Sequence, residues 1–412
     1  MKILRNHCCA IVMSLLALAS CNEKSALETY WADDYDGPLG IQVKEGPDGQ
    51  AMMYLADKPF YAAGINDFAL FVRTLSDSPR KYVPGTNLDA GAFKEENLAK
   101  IEENINILKE QQVPIVRFCA IPFFHYEMHY YLESRDEYLQ VMDRIATACD
   151  EAHILLVPCL LWQYHHYNEY FGEPLTAWND PTSKTYEFLG NYTTDMVNLL
   201  KDHKSIAMWE CSNELVLACD LDKIDPARPA FPINDYVGSH VRFAETCNAL
   251  DPNHRMVGSG SSVREEQYNI SFNGQMKFDT VEEFYEVLKL SAPDPMQGYT
   301  EHLYALVRTY GDEGEVHLSE SVKHVMEGCA KYGKVYYVGE YGDVNDEVWG
   351  ENKNLDKAQA QFDCFYDNKV QLTLLWNYGL DSEHGFGPRT EYGMQAFQFL
   401  RDCNKRLEEL AK

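Results

Sequence analysis

Ile206–Leu215 reads IAMWECSNEL: an apolar run that turns abruptly polar, with Glu210 and Glu214 four residues apart and Asn213 beside the second. A short, continuously apolar run fits a strand buried on both faces, as in a parallel sheet, better than the alternating pattern of a half-exposed strand. Seven further runs have the same character: Tyr61–Ile65, Pro114–Phe118, Ile154–Leu160, Met256–Gly258, Gly298–His302, Val335–Gly339 and Leu372–Trp376. With Ile206–Glu210 they make eight. The segments between them carry a period near 3.6, as in Leu98, Ile101, Ile105 and Leu108, and in Tyr138, Met142, Ile145 and Cys149, where Ser134-x-x-Glu137 has the spacing of a capping box. Eight strand-then-helix units over roughly 350 residues predict an α/β chain folded as one (β/α)8 TIM barrel with enlarged βα loops, spanning residues 37–412. A doubly wound open sheet is the other topology to weigh, but no Gly-rich phosphate turn follows the first strand. Ahead of the barrel, Ile41–Leu55 predicts a short N-terminal β-hairpin around Pro47–Asp48–Gly49.

The 412 residues are 45% hydrophobic, enough for a large core, and 36 Lys+Arg against 64 Asp+Glu give a formal charge of −28. Such a surface repels phosphate backbones, so no nucleic-acid partner is expected, and neutral or cationic ligands fit better. Lys2 and Arg5 precede an apolar stretch, Cys8–Ala19, in the order of an export signal and too short to span a bilayer. Leu18–Ala19–Ser20–Cys21 resembles the lipobox of bacterial lipoproteins. That resemblance implies a signal peptide at 1–20, lipidation of Cys21, a tether over 21–36, and an exported protein anchored to the membrane, of the bacterial outer-membrane kind. Of twelve Cys, nine lie beyond residue 21, an odd number with no C-x-x-C and no zinc-like spacing; they read as small buried hydrophobes, with room for a stray disulfide.

In such a barrel the chemistry sits at the C-terminal ends of the strands. Those ends carry Arg117, Asn213–Glu214, His302 with Tyr304, Glu340–Tyr341 and Trp376–Asn377. Glu214 and Glu340 would face each other across the mouth. Two opposed carboxylates can cleave a glycosidic bond, one donating a proton to the leaving oxygen and the other attacking the sugar carbon. Donors such as Arg117 and Tyr304 would hold the ionised partner, and Trp376 offers a flat apolar platform for a sugar ring. Glu210, four residues before Glu214, would face the same side of the sheet and is read as an ion-pair partner of Arg117.

Four segments in order, WECSNEL (209–215), EHLY (301–304), VYYVGEYGD (335–343) and LTLLWNYG (372–379), resemble motifs of glycoside hydrolase family 5, the retaining cellulases and β-mannanases. The resemblance runs from about Asp57 to Lys412. It implies that Glu214 is the acid/base, Glu340 the nucleophile, Asn213 the donor to the sugar 2-hydroxyl and Trp376 the floor of the cleavage subsite, with Arg117, His302 and Tyr304 in support. The expected activity is double-displacement hydrolysis of a β-linked glucan or mannan by a monomer, without metal or cofactor; gluco- or manno-configuration and internal or terminal cleavage stay open. The chain departs from the family after strand three, where many members have Asp-x-His and this sequence has VPCLLWQYHHYNEY (157–170). His165 or His166 is the candidate to replace it from farther out, against the plainer reading of a surface-loop His, and Trp162, Tyr164, Tyr167 and Tyr170 are similar to the aromatic loops of mannanase-like members, so Trp162 and His165 join the substrate-binding candidates. Two alternatives are a barrel that binds glycan at the surface without cutting it, and a metal-dependent hydrolase. Both carboxylates being present argues against the first, and Gly64–Ile65–Asn66–Asp67 in place of His-x-His argues against the second.

Overall fold

The structure, a computed structural model, describes residues 24–75, 95–123, 125–162, 165–343, 355–380 and 385–411. The expected signal peptide, Cys21 and Tyr164 lie outside the described residues. Eight parallel strands close into a barrel: β4 (Ala62–Asn66), β5 (Ile115–Cys119), β6 (Leu155–Leu161), β7 (Trp209–Ser212), β8 (Val257–Gly258), β9 (Gly298–Leu303), β12 (Val335–Tyr341) and β13 (Leu372–Leu375), with β13 pairing back onto β4. The chain is therefore a (β/α)8 barrel, and each strand falls within three residues of its expected run. Their residues are buried on both faces because alternate side chains serve two cores. Ala62, Ile115, Leu155, Val157, Met208, Tyr337 and Leu374 fill the barrel, while Ile65, Val116, Leu156, Trp209 and Val338 pack outward under the helices.

The helices form where the apolar period is carried through. Arg135–Ala152 buries Tyr138, Val141, Met142, Ile145, Ala146, Cys149 and Ala152, a stripe of steps of three and one on a single face. Each large side chain of that stripe contributes about 1.5–3 kcal/mol by leaving water. The helix stops at His153, which takes the left-handed conformation of a C-cap. Its expected capping box does not form. Ser134 makes no side-chain cap bond; its N–H donates to Tyr130 O at 2.8 Å and its carbonyl accepts from Tyr138 N at 3.0 Å, so through its backbone alone it closes the preceding helix His125–Glu133 and opens the next. Ser25/Glu28 and Thr280/Glu283 do form such boxes.

The N-terminal hairpin β1 (Gln42–Glu45) and β2 (Ala51–Leu55) gains a third strand, β3 (Lys58–Pro59), and this small sheet covers the N-terminal end of the barrel. Gln371, just ahead of β13, stitches it down by donating to Met53 O and Phe60 O. The stretch expected as a polar tether over 21–36 differs from that reading from Ser25 onward. Ala26–Tyr30 is a helix, and Tyr30 is fully buried against the same floor, its hydroxyl donating to Lys204 O and accepting from Gly40 N. Its apolar spacing, Leu27 and Tyr30 beside Trp31, gives it a face to bury.

A second hairpin, β10 (Val307–Tyr310) with β11 (Gly314–His317), enlarges the loop after β9 and is pinned by Arg308, which donates to Glu301 at 2.9 Å. The nine cysteines beyond residue 21 are buried and free. No described helix is long and apolar enough to cross a membrane.

Candidate active site

Register builds the site. Asn66 lies beside Arg117 on β4 and β5, Cys159 beside Glu210 on β6 and β7, and His302 beside Glu340 on β9 and β12. Parity then decides which of these side chains face inward. Tyr337 points into the barrel, so in a regular strand Glu340, three residues on, would point out to the helices. A register shift between Val338 and Glu340 inserts Gly339 as an extra residue and turns Glu340 back to the interior. Only glycine fits there, since a Cβ on Gly339 would stand 2.8 Å from Thr300 Oγ1 and 2.9 Å from His302 Nε2.

Glu214 reaches the mouth by a different device. The strand ends at Ser212, so Glu210 and Glu214 do not share one strand as expected. Glu214 instead sits in a left-handed turn, φ 55°, ahead of the 3₁₀ turn Leu215–Ala218, its N–H bonded to Gly260 O at 2.8 Å. Gly260 is itself required, having φ +69° and a place for Cβ only 1.5 Å from Ser212 O. A non-glycine residue in this region of backbone space is uncommon and marks a position held by its surroundings.

Arg117, fully buried, is the hub. Its Nε donates to Glu210 Oε1 at 2.6 Å, Nη1 to Asn66 Oδ1 and Glu340 Oε1 at 2.9 Å each, and Nη2 to Asn213 Oδ1 at 2.7 Å, while the guanidinium lies 4.6 Å from the Trp162 ring centre. The expected Arg117–Glu210 ion pair is present, with both side chains fully buried. Asn213 Oδ1 is thereby engaged, so what its side chain has left to offer is the Nδ2 donors. Glu340 also accepts the Tyr304 hydroxyl on Oε2. His302 Nδ1 lies 2.8 Å from Glu214 Oε1 and 3.3 Å from Glu340 Oε1, and the ligand atoms of the three residues all fall within 4.8 Å of one another. That spacing could hold a cation. With the proton on Nδ1, His302 is placed to donate to the carboxylates on either side.

Electrostatics separate the two acids. The Glu340 side chain is 5% exposed and that of Glu214 34%. Burial pushes Glu340 above the ordinary carboxylate range, with His302, Arg117 and Tyr304 pulling it down and Glu214 adding to the rise. Burial also raises Glu214, but the His302 hydrogen bond and charge, with Arg117 and Arg264, outweigh it and leave Glu214 below its usual value. Glu340 thus holds a proton more readily than Glu214. Burial disfavours the charge on Arg117, yet Glu210 and Glu340 more than restore it. The Tyr304 hydroxyl is held protonated by burial and by Glu340.

Of the remaining candidates, Trp376 is half-buried, 6.4 Å from the Trp162 ring, and its peptide bond to Asn377 is cis. Trp162 is 6% exposed, its ring packed on Arg117, Phe68 and Trp376. His165 caps the start of helix His166–Phe171, its ring 5.7 Å from His166, and burial lowers its pKa. Tyr167 departs from the expected cleft aromatics: it is fully buried against Trp178 and Phe188, because its position on that helix faces the core. Two residues of the network went unread in the sequence. Asn66 also donates to Gly339 O at 2.9 Å, and Tyr337 donates to Glu210 Oε2 at 2.8 Å. A polar residue closing an apolar run was the available signal for Asn66; nothing local marked Tyr337.

No protein-family model matches the chain, and the search of curated proteins returns no match. Solved structures do match. An endo-1,4-beta-mannanase from Rhizomucor miehei superposes with a TM-score of 0.60 at 15% identity, covering 89% of this chain and 99% of the mannanase. The chain has their common fold. A glycoside hydrolase family 5 mannosidase from the same organism gives 0.57 at 11% identity over 90% of this chain and 98% of that one. The catalytic domain of endoglucanase Cel5A (E5) from Thermobifida fusca gives 0.53 at 12% identity, over 92% and 100%. At these identities the shared property is the (β/α)8 barrel.

Proposed function

We propose that this chain is a retaining β-glycoside hydrolase acting on a β-linked glucan or mannan, with Glu340 as nucleophile and Glu214 as acid/base. The carrying observation is the pair of carboxylates at the barrel mouth, with oxygens within 4.8 Å around His302. Retaining enzymes hold their carboxyl groups about 5–5.5 Å apart, whereas inverting ones leave room for a water between them at about 6.5–9.5 Å. The mannanase, mannosidase and endoglucanase names of the structural neighbours support the same reading.

In the first step Glu340 attacks the anomeric carbon while Glu214 gives its proton to the leaving oxygen; in the second, Glu214 deprotonates water, which releases the sugar from Glu340. The resting proton preference runs the other way. A bound sugar reverses it by covering the mouth, which desolvates the more exposed Glu214 carboxyl and raises it, while Glu340 is already dry. Trp376 lies under the sugar, Asn213 Nδ2 donates to its 2-hydroxyl, and Arg117, His302 and Tyr304 hold the carboxylates. Trp162 and His165 line the same side of the cleft.

Product profiling on a panel of β-linked glucans, mannans and xylans tests this, and the product sizes separate internal from terminal cleavage. Glu340→Gln should abolish turnover and keep oligosaccharide binding, measured by calorimetry. Turnover on none of the panel, with binding retained, leaves a surface glycan-binding protein instead. Export and lipid anchoring at Cys21 are part of the same proposal. A Cys21→Ser chain should leave the membrane fraction, and an unprocessed wild-type chain in the cytoplasm overturns that part.

A further inference from the structure

Glu210 lies where no substrate reaches. Its side chain is fully buried in the barrel, beneath the two carboxylates of the mouth, and both its oxygens are taken, one by Arg117 Nε at 2.6 Å and one by the Tyr337 hydroxyl at 2.8 Å. The Cys159 thiol faces it from β6. The same guanidinium that binds Glu210 through Nε binds Glu340 through Nη1 at 2.9 Å. One buried cation is therefore divided between two buried carboxylates. Resting on the reading of Glu340 as the nucleophile, we propose that Glu210 is a positioning residue that sets the basicity of Glu340 through Arg117. With Glu210 neutralising it from behind, Arg117 gives Glu340 a fixed hydrogen bond without a full opposing charge.

The chemistry requires a compromise at this point. A nucleophilic carboxylate has to be ionised, yet one stabilised by an undivided guanidinium would be a poor base and a poor nucleophile. The groups facing Glu340 are Arg117, His302, Tyr304 and Glu214; those facing Glu210 are Arg117, Tyr337 and Cys159. The Glu340 carboxyl stays above the ordinary range even though Arg117 touches it, as a half-spent cation allows. Trp162 under the guanidinium and Asn66 and Asn213 on its other nitrogens fix the fork, so removing the charge of Glu210 need not move it.

The test is Glu210→Gln, which keeps the shape and an acceptor for Arg117 and removes only the charge. Carboxyl NMR titration of protein labelled with ¹³C-glutamate, with the Glu340 signal identified by its loss in Glu340→Gln, should show Glu340 titrating at least about one pH unit lower in Glu210→Gln. The basic limb of kcat/KM should move down with it. Tyr337→Phe, which strips Glu210 of a donor and strengthens its hold on Arg117, should give a smaller shift in the opposite direction. A folded Glu210→Gln chain in which Glu340 does not move, or moves upward, overturns the proposal. Should circular dichroism show that variant unfolded, Tyr337→Phe decides alone, with no upward shift counting against it. The NMR readout needs no turnover, so these outcomes stand apart from loss of the hydrolase reading, which Glu340→Gln with unchanged activity would signal.

Discussion

Arg117 distributes four hydrogen-bond contacts over Glu210, Asn66, Glu340 and Asn213, and this division makes the chemistry of the two mouth carboxylates unequal. In the proposed mechanism Glu340 has to be ionised and Glu214 protonated, so activity follows the form with one proton on the pair. The basic limb of kcat/KM should therefore track Glu340 and lie above the ordinary carboxylate value of 4.5, while the acid limb tracks Glu214 and lies below it. An acid limb above 4.5 in a pH–rate profile would contradict this. Glu214→Ala should keep turnover on aryl glycosides with good leaving groups, and azide should restore rate by replacing the missing base; rates unmoved by azide would remove Glu214 from the acid/base role. Glu214, Glu340 and Arg117 were legible in the sequence because each closes an apolar run at a strand end. Tyr337 was not. It sits inside such a run, where a hydroxyl looks the same whether it ends in apolar core or, as here, on a buried carboxylate 127 residues away.

At the scale of elements, the eight strands were readable because burial on both faces leaves a continuous apolar signature, whereas the β10–β11 hairpin was not, its short strands being mixed with charge and half-exposed. The capping box at Ser134 was misread for a physical reason: two helices abut there, and the serine, serving both through its backbone, is held at φ −131°, ψ 46° rather than in the extended conformation from which a side chain caps. The bulge at Gly339 could not be seen in a sequence at all, since parity counts residues and assumes a regular ladder. It is also the most exposed to test. In Gly339→Ala the new methyl meets His302 within 3.0 Å, the residue that touches both carboxylates. We expect kcat/KM to fall roughly tenfold or more, about 1.4 kcal/mol in the barrier, with a stability loss of about 1–3 kcal/mol from overpacking. Kinetics together with thermal melting would check it, and unaltered kinetics would mean that the bulge does not set the geometry of the site.

For the molecule as a whole, a buried histidine behind the end of β7 contributes to acid sensitivity. His240 is fully buried, stacked on Tyr236 at 3.8 Å and bonded to Ser212 Oγ and Tyr236 O, and burial depresses its pKa from 6.5 to about 3. Between those values the unfolded chain takes up a proton that the folded one refuses. Stability contributed by neutral His240 is therefore present above pH 6.5 and is lost as pH falls toward 3, at up to about 1.4 kcal/mol per unit. Urea unfolding across that window should show a shallower pH slope for His240→Gln than for the parent; equal slopes would remove His240 from the account. His203 acts in a different window. Its pKa is raised by the Asp150 hydrogen bond, so its contribution holds below 6.5 and fades as pH climbs past its folded value.

The short helix ending in Tyr30 docks under the barrel floor, at the pole opposite Glu214 and Glu340. Whatever is attached upstream of Ser25, whether an acyl chain, a bead or a fusion protein, is leashed there, and the barrel mouth looks away from the point of attachment. Immobilised by its leading end, the molecule would turn the barrel mouth away from its support.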